Sequence, residues 1–263
     1  MKNSRQEKLE AFGQLLDIMD DLREKCPWDK KQTLQSLRHL MLEEVYELTD
    51  AILEENLPEI KKEIGDVLLH LVFYAKIASE KDSFDIADVI RSLNEKLIFR
   101  HPHIYGDTQV KDEEEVKQNW EKLKLKEGNT SILAGVPKGL PSLIKAYRMQ
   151  DKVKGIGFDF PNEEEAWQKV EEEIMEFKAE KTLEKQEEEL GDVLFSLINY
   201  ARIKGINPDT ALEKTNAKFR NRFQKMEALA QEREISLSDL SLLELDELWN
   251  EAKRILKDTG IKN

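Results

Sequence analysis

A chain of 263 residues, 40% hydrophobic and 36% charged, is long enough for one large domain or two modest ones with real cores and no disulfide staples. Its 54 acidic against 41 basic side chains give a net charge of -13 and disfavour sequence-reading of DNA or RNA, because such a surface repels polyanions unless cations intervene. A single cysteine, Cys26, an N-terminus without a signal-like apolar stretch, and no apolar run near the roughly 20 residues that span a bilayer are expected of a soluble protein of the reducing cytoplasm, with no membrane partner.

Apolar residues at spacings of three and four, with few alternating β-branched runs, make helices the expected element almost throughout, and no strand is expected. In the first half, Cys26-Pro27-Trp28-Asp29 reads as a turn between helices with Trp28 packed on the bundle. Glu43-Glu44-Val45-Tyr46-Glu47 follows, on a helix whose apolar stripe is Leu42, Val45, Tyr46, Thr49 and Ile52. Glu63-Ile64-Gly65-Asp66 then opens into the apolar run from Val67 to Ala75, which contains His70. Asn94-x-Lys96-x-x-x-Arg100 precedes His101-Pro102-His103, where Pro102 marks a helix end or turn and two histidines are too few for a closed zinc site. After Trp120-x-x-x-Lys124 the periodicity breaks at Gly128, Asn129, Thr130, Gly135, Pro137, Gly139 and Pro141. The break sets a linker at 128–141 between modules at 1–127 and 142–263.

The second half repeats the first in the same order. Glu172-Glu173-Ile174-Met175-Glu176 matches the first EExxE block, and Glu189-Leu190-Gly191-Asp192 matches the first ExxD block. Asn216-x-Lys218-x-x-x-Arg222 and Trp249-x-x-x-Lys253 complete the set. Generic acidic helices would not keep that order by chance, so duplication is the better reading.

On a helix, acids three residues apart lie about 60° apart in projection and one turn along, so they can converge on one ion. Glu44 with Glu47 and Glu63 with Asp66 form one such quartet; Glu173 with Glu176 and Glu189 with Asp192 form the other. Two such helices packed antiparallel give the oxygen-rich surroundings that Mg²⁺, or Mn²⁺ in its place, prefers. A lone EExxE is also the ordinary sequence of a solvated helix face. Recurrence of both pairs beside apolar runs favours the metal.

EExxE, a spacer, ExxD, a helix with NxK and a later WxxxK, all duplicated, resemble the MazG-type nucleoside triphosphate pyrophosphohydrolases. The resemblance covers nearly the whole chain and implies an all-α fold of tandem helical-bundle modules, a homodimer, and Mg²⁺-dependent hydrolysis of nucleoside triphosphates to monophosphate and pyrophosphate with broad base tolerance. It implies that Glu173, Glu176, Glu189 and Asp192, and in the first copy Glu44, Glu47, Glu63 and Asp66, hold metal. It also places Lys169, Lys185 and Glu188 in the nucleotide site of the second copy, where the first copy has Leu40, Glu59 and Lys62. The second copy is therefore the expected catalytic centre, with Glu172 in a supporting or substrate contact. Lys218, Arg222 and Lys253 are candidates for the phosphates, and Trp249 for stacking on the base. Two other readings stay open: a non-catalytic helical interaction protein, and a pyrophosphatase selective for one nucleotide.

Overall fold

The computed structural model describes residues 3–112, 115, 116, 119 and 131–258. Trp120, Lys124 and the Gly128-Asn129-Thr130 part of the expected linker lie outside them. Among the described residues there are ten α-helices and no strand. Contacts divide the chain into two units, residues 1–111 and 112–263.

In the first unit, α1 (Arg5–Lys25) starts at a capping box: the Glu7 N–H donates to Ser4 Oγ at 3.2 Å, and the Ser4 N–H donates to the Glu7 carboxylate at 2.6 Å. A short turn follows, then α2 (Arg38–Leu53), α3 (Leu57–Ser79), α4 (Ile86–Arg100) and a single turn, α5 (Pro102–Tyr105). Asn56 caps α3 with Pro58 in its first turn, and Asp85 caps α4. Helices α2 and α3 pack along each other. Met19, Leu37, Val72, Phe73 and Ile77 form the buried cluster that joins α1 to α3.

The second unit repeats the plan with α6 (Ser142–Lys154), α7 (Glu163–Ala179), α8 (Leu183–Ile203), α9 (Pro208–Glu232) and α10 (Leu242–Asp258). Asn162 caps α7, whose first turn carries Glu163, Glu164 and Glu165 where the helix dipole favours negative charge. Helix α7 packs on α8, and α6 also packs on α8. Helices α9 and α10 close over a cluster of Met226, Leu229, Ala230, Leu248 and Ala252.

Three local expectations need correction. Trp28 is exposed, and the buried residue of its turn is Asp29, whose carbonyl accepts from Arg23. Arg23 also grips Glu80, so the turn is held by charge rather than by an aromatic ring. The stripe of Leu42, Tyr46 and Ile52 faces outward, because α2 meets α3 through the side that carries Glu44, Val45, Leu48 and Ala51. The ExxD acids sit inside α3 and α8 rather than at their starts, and in α8 only Val193 of Val193-Leu194-Phe195 is buried.

Met19 is 1% exposed at the centre of the first cluster, so Met19→Ala is expected to cost about 2–5 kcal/mol through lost contacts and a residual cavity. Urea unfolding of the full chain checks this. A loss under about 1 kcal/mol contradicts the packing described.

Candidate functional site

Packing of α2 on α3 brings Glu44, Glu63 and Asp66 together, with one carboxylate oxygen of each within 4.8 Å of the others. Packing of α7 on α8 does the same for Glu173, Glu176 and Glu189. The two trios differ. Glu47 lies outside the first and is exposed, yet its charge still acts on Glu44; Asp192 lies outside the second, yet its charge acts on Glu189.

Each cluster is electrostatically uncomfortable as it stands. Burial, then the charges of Asp66 and Glu47, push the Glu44 carboxyl above its ordinary value, partly offset by His70. Burial, then Glu176, Asp192, Glu173 and Glu180, push Glu189 up in the same way. Glu63 is 1% exposed: one oxygen takes the Lys62 ammonium at 2.7 Å, and the other is buried with no hydrogen-bond partner. A buried carboxylate oxygen left unpaired is costly, and a hard cation is the partner that would satisfy it together with its two neighbours. The donor set is all oxygen, which fits Mg²⁺ or Mn²⁺ better than a soft metal.

The lysines divide the work differently in the two copies. In the first, Lys62 bridges Glu59 and Glu63 from the ExxD helix, and both carboxylates hold it above the usual ammonium range. In the second, Lys169 bridges Glu172 and Glu173, each at 2.7 Å, from the EExxE helix and is raised likewise. Lys185 lies 3.7 Å from Glu180, and Glu188 is exposed.

A cavity of about 500 Å³ opens beside the second cluster. Lys169, Glu173 and Asp192 line it, together with Gln150, Phe158, Asp159, Phe195, Ser196, Asn199 and Arg202. Apart from Phe195, read only as part of an apolar run, none of these last seven was singled out from the sequence. The available signal was polar Ser196, Asn199 and Arg202 at helical spacing inside an otherwise apolar stretch of α8. Gly157, with φ +83°, turns the chain from α6 into the Phe158-Asp159-Phe160 wall.

The remaining expected contacts sit on the α9–α10 pair. Trp249 packs 5.2 Å from Phe219, with the Arg222 guanidinium 5.9 Å from its ring centre. Trp249 lines a separate apolar groove, and Lys253 lines a third, charged one with Arg254 and Lys257. Lys218 is half-buried on α9.

A family model described as the MazG nucleotide pyrophosphohydrolase domain matches residues 32–105 and 163–226, so each matched segment holds one carboxylate cluster. The nucleoside triphosphate pyrophosphohydrolase/pyrophosphatase MazG of Thermotoga maritima is 43% identical over 247 residues, covering 92% of this chain and 95% of that protein. The nucleoside triphosphate pyrophosphohydrolase of Escherichia coli K12 is 37% identical over 258 residues, covering 94% and 98%. The uncharacterized protein YabN of Bacillus subtilis is 45% identical over 260 residues, which cover 95% of this chain and 53% of YabN.

A carboxyl raised in the folded state binds its proton more tightly there than in the unfolded chain. Its effect on stability is therefore unfavourable once pH rises above the ordinary value of 4.5 and through the raised one. Glu44→Gln and Glu189→Gln are expected to raise the Tm of metal-free protein, by a margin that grows as pH increases above 4.5, and to reduce the Tm gain on adding Mg²⁺. Variants no more stable than the parent at pH 7 without metal count against the repulsion.

Proposed function

This chain belongs to the MazG nucleotide pyrophosphohydrolase family and is a nucleoside triphosphate pyrophosphohydrolase, and from that premise we propose that it uses Mg²⁺ to release monophosphate and pyrophosphate with broad base tolerance. The observation that carries the metal is the pair of three-carboxylate clusters, one of them containing an unpartnered buried oxygen. We assign Glu173, Glu176, Glu189 and Asp192 to the metal of the main catalytic centre, and Glu44, Glu47, Glu63 and Asp66 to that of the first copy. Bound Mg²⁺ supplies neutralisation of the phosphate oxygens and activation of the attacking water.

The chain's own groups do the rest. A carboxylate of the cluster takes the proton of the attacking water. Lys169 holds Glu173 in place and exchanges its contact with exposed Glu172 for a phosphate oxygen when substrate arrives. Lys185, Lys218, Arg222 and Lys253 are the further cations we assign to the phosphates, with Glu188 bordering the site. The first copy has no lysine at the position of Lys169, and its Lys62 is committed to Glu63, which supports the second copy as the main centre.

The expected homodimer is supported by apolar faces that stay exposed: Val89, Ile90, Leu93 and Leu97 on α4, and Leu212 and Phe219 on α9. We place this action on free nucleotides in the cytoplasm; among the described residues no helix is long and apolar enough to cross a membrane.

Product analysis tests this with a panel of ribo- and deoxynucleoside triphosphates and Mg²⁺. Wild type is expected to yield monophosphate and pyrophosphate on every base, with turnover reduced about a hundredfold or more in Glu173→Ala and far less in Glu44→Ala. Diphosphate plus phosphate as products, or no metal-dependent turnover, overturns the reading.

A further inference from the structure

The two copies differ in the length of chain between their acid blocks. Glu63 follows Glu47 by 16 positions, whereas Glu189 follows Glu176 by 13. The missing residues amount to almost one helical turn, and they come from the end of the EExxE helix. Helix α2 runs on past Glu47 to Leu53, while α7 stops at Ala179, soon after Glu176. The chain leaves α7 at Glu180 in an extended conformation, φ -71° and ψ 142°, almost one turn nearer to the EExxE acids than it leaves α2.

Both backbone groups of Glu180 are fixed. Its N–H donates to the Glu176 carbonyl at 3.2 Å, and its carbonyl accepts from Gln186 Nε2 at 2.9 Å. The half-buried side chain is thereby held between two charged neighbours. On one side is the carboxylate cluster, where the charge of Glu180 adds to those that raise Glu189. On the other is the Lys185 ammonium, 3.7 Å from Glu180 Oε1. Among the described residues no other carboxylate pairs with that ammonium. In the first copy Glu59 stands at the place of Lys185 and pairs with Lys62, so there is no cation for the turn after α2 to hold.

An ammonium beside an acidic cluster has two kinds of partner. On the cluster it competes with a divalent ion; on Glu180 it stays off the cluster and can be traded for a phosphate. The pair is longer than a hydrogen bond and Lys185 is exposed, so the contact is weak and readily exchanged. We propose that Glu180 is a positioning residue of the second copy, which holds Lys185 in the free enzyme, yields it to the phosphates of the substrate and takes it back from pyrophosphate. The proposal rests on the pyrophosphohydrolase reading above. Glu180 touches neither metal nor phosphate and acts by competition alone. An anion that binds Lys185 must break the Glu180 contact, and one that leaves restores it, so product release is favoured.

The test is calorimetric binding of pyrophosphate with Mg²⁺ to the full chain as wild type, Glu180→Gln, Lys185→Met and the double variant. Glu180→Gln removes the charge and keeps the side-chain size and both backbone bonds. It is expected to tighten pyrophosphate roughly two- to fivefold, the worth of an exposed ion pair, and to change nothing on the Lys185→Met background. The KM for triphosphates is expected to fall with it. A purely structural role for Glu180 predicts the opposite sign, since a damaged site binds less well. Unchanged or weaker binding in Glu180→Gln overturns the proposal. Equal tightening with and without Lys185 also overturns it, because Glu180 then acts as a bare charge on the phosphates. Turnover of triphosphates by wild type keeps these failures separate, since an inactive wild type sinks the pyrophosphohydrolase reading instead.

Discussion

Repulsion among carboxylates forced together by helix packing is the constraint around which both modules are built. Two unit charges about 4 Å apart near a protein surface repel by about 4 kcal/mol, several times what a helix cap contributes. The α2–α3 and α7–α8 contacts each bring three acids together, with one carboxylate oxygen of each within 4.8 Å of the others. Lysines relieve it only in part: Lys62 reaches one oxygen of Glu63, and Lys169 one of Glu173. Burial first, and then the neighbouring carboxylates, raise the proton affinities of Glu44 and Glu189. Such a cluster is stable when a proton or a cation joins it, and a divalent ion satisfies three carboxylates at once.

The duplication makes the point sharper, because the copies agree in the acids and differ in what surrounds them. The first copy places its ammonium on the ExxD helix and packs Phe73 into its core. The second places it on the EExxE helix, beside a cavity lined by Gln150, Asn199 and Arg202. Holding a metal and receiving a nucleoside are separate demands on sequence. Under the proposed assignment, the second copy meets both.

Much of the fold was legible because helix signals are local. The apolar spacing gave the helices, while their starts, such as the Asn56 cap of α3 and the Asn207 cap of α9, were not read from it. The acids were legible through recurrence at a spacing of three, which places them on one face whatever packs there. Which face of α2 is inside was not legible: both sides carry apolar residues, and Leu42, Tyr46 and Ile52 looked like core while Glu44 and Ala51 hold that side. The cavity was hidden for a different reason. Gln150 and Asn199 belong to different helices, and the unpaired oxygen that makes Gln150 notable arises only once its amide nitrogen meets the Phe195 carbonyl.

Anomalous scattering from crystals of the full chain grown with Mn²⁺ and a non-hydrolysable nucleoside triphosphate tests the central claim most directly. Carboxylate repulsion resolved by a divalent ion predicts manganese peaks bounded by Glu173, Glu176 and Glu189, and by Glu44, Glu63 and Asp66. Manganese bound elsewhere, with both clusters empty beside a bound nucleotide, would contradict it.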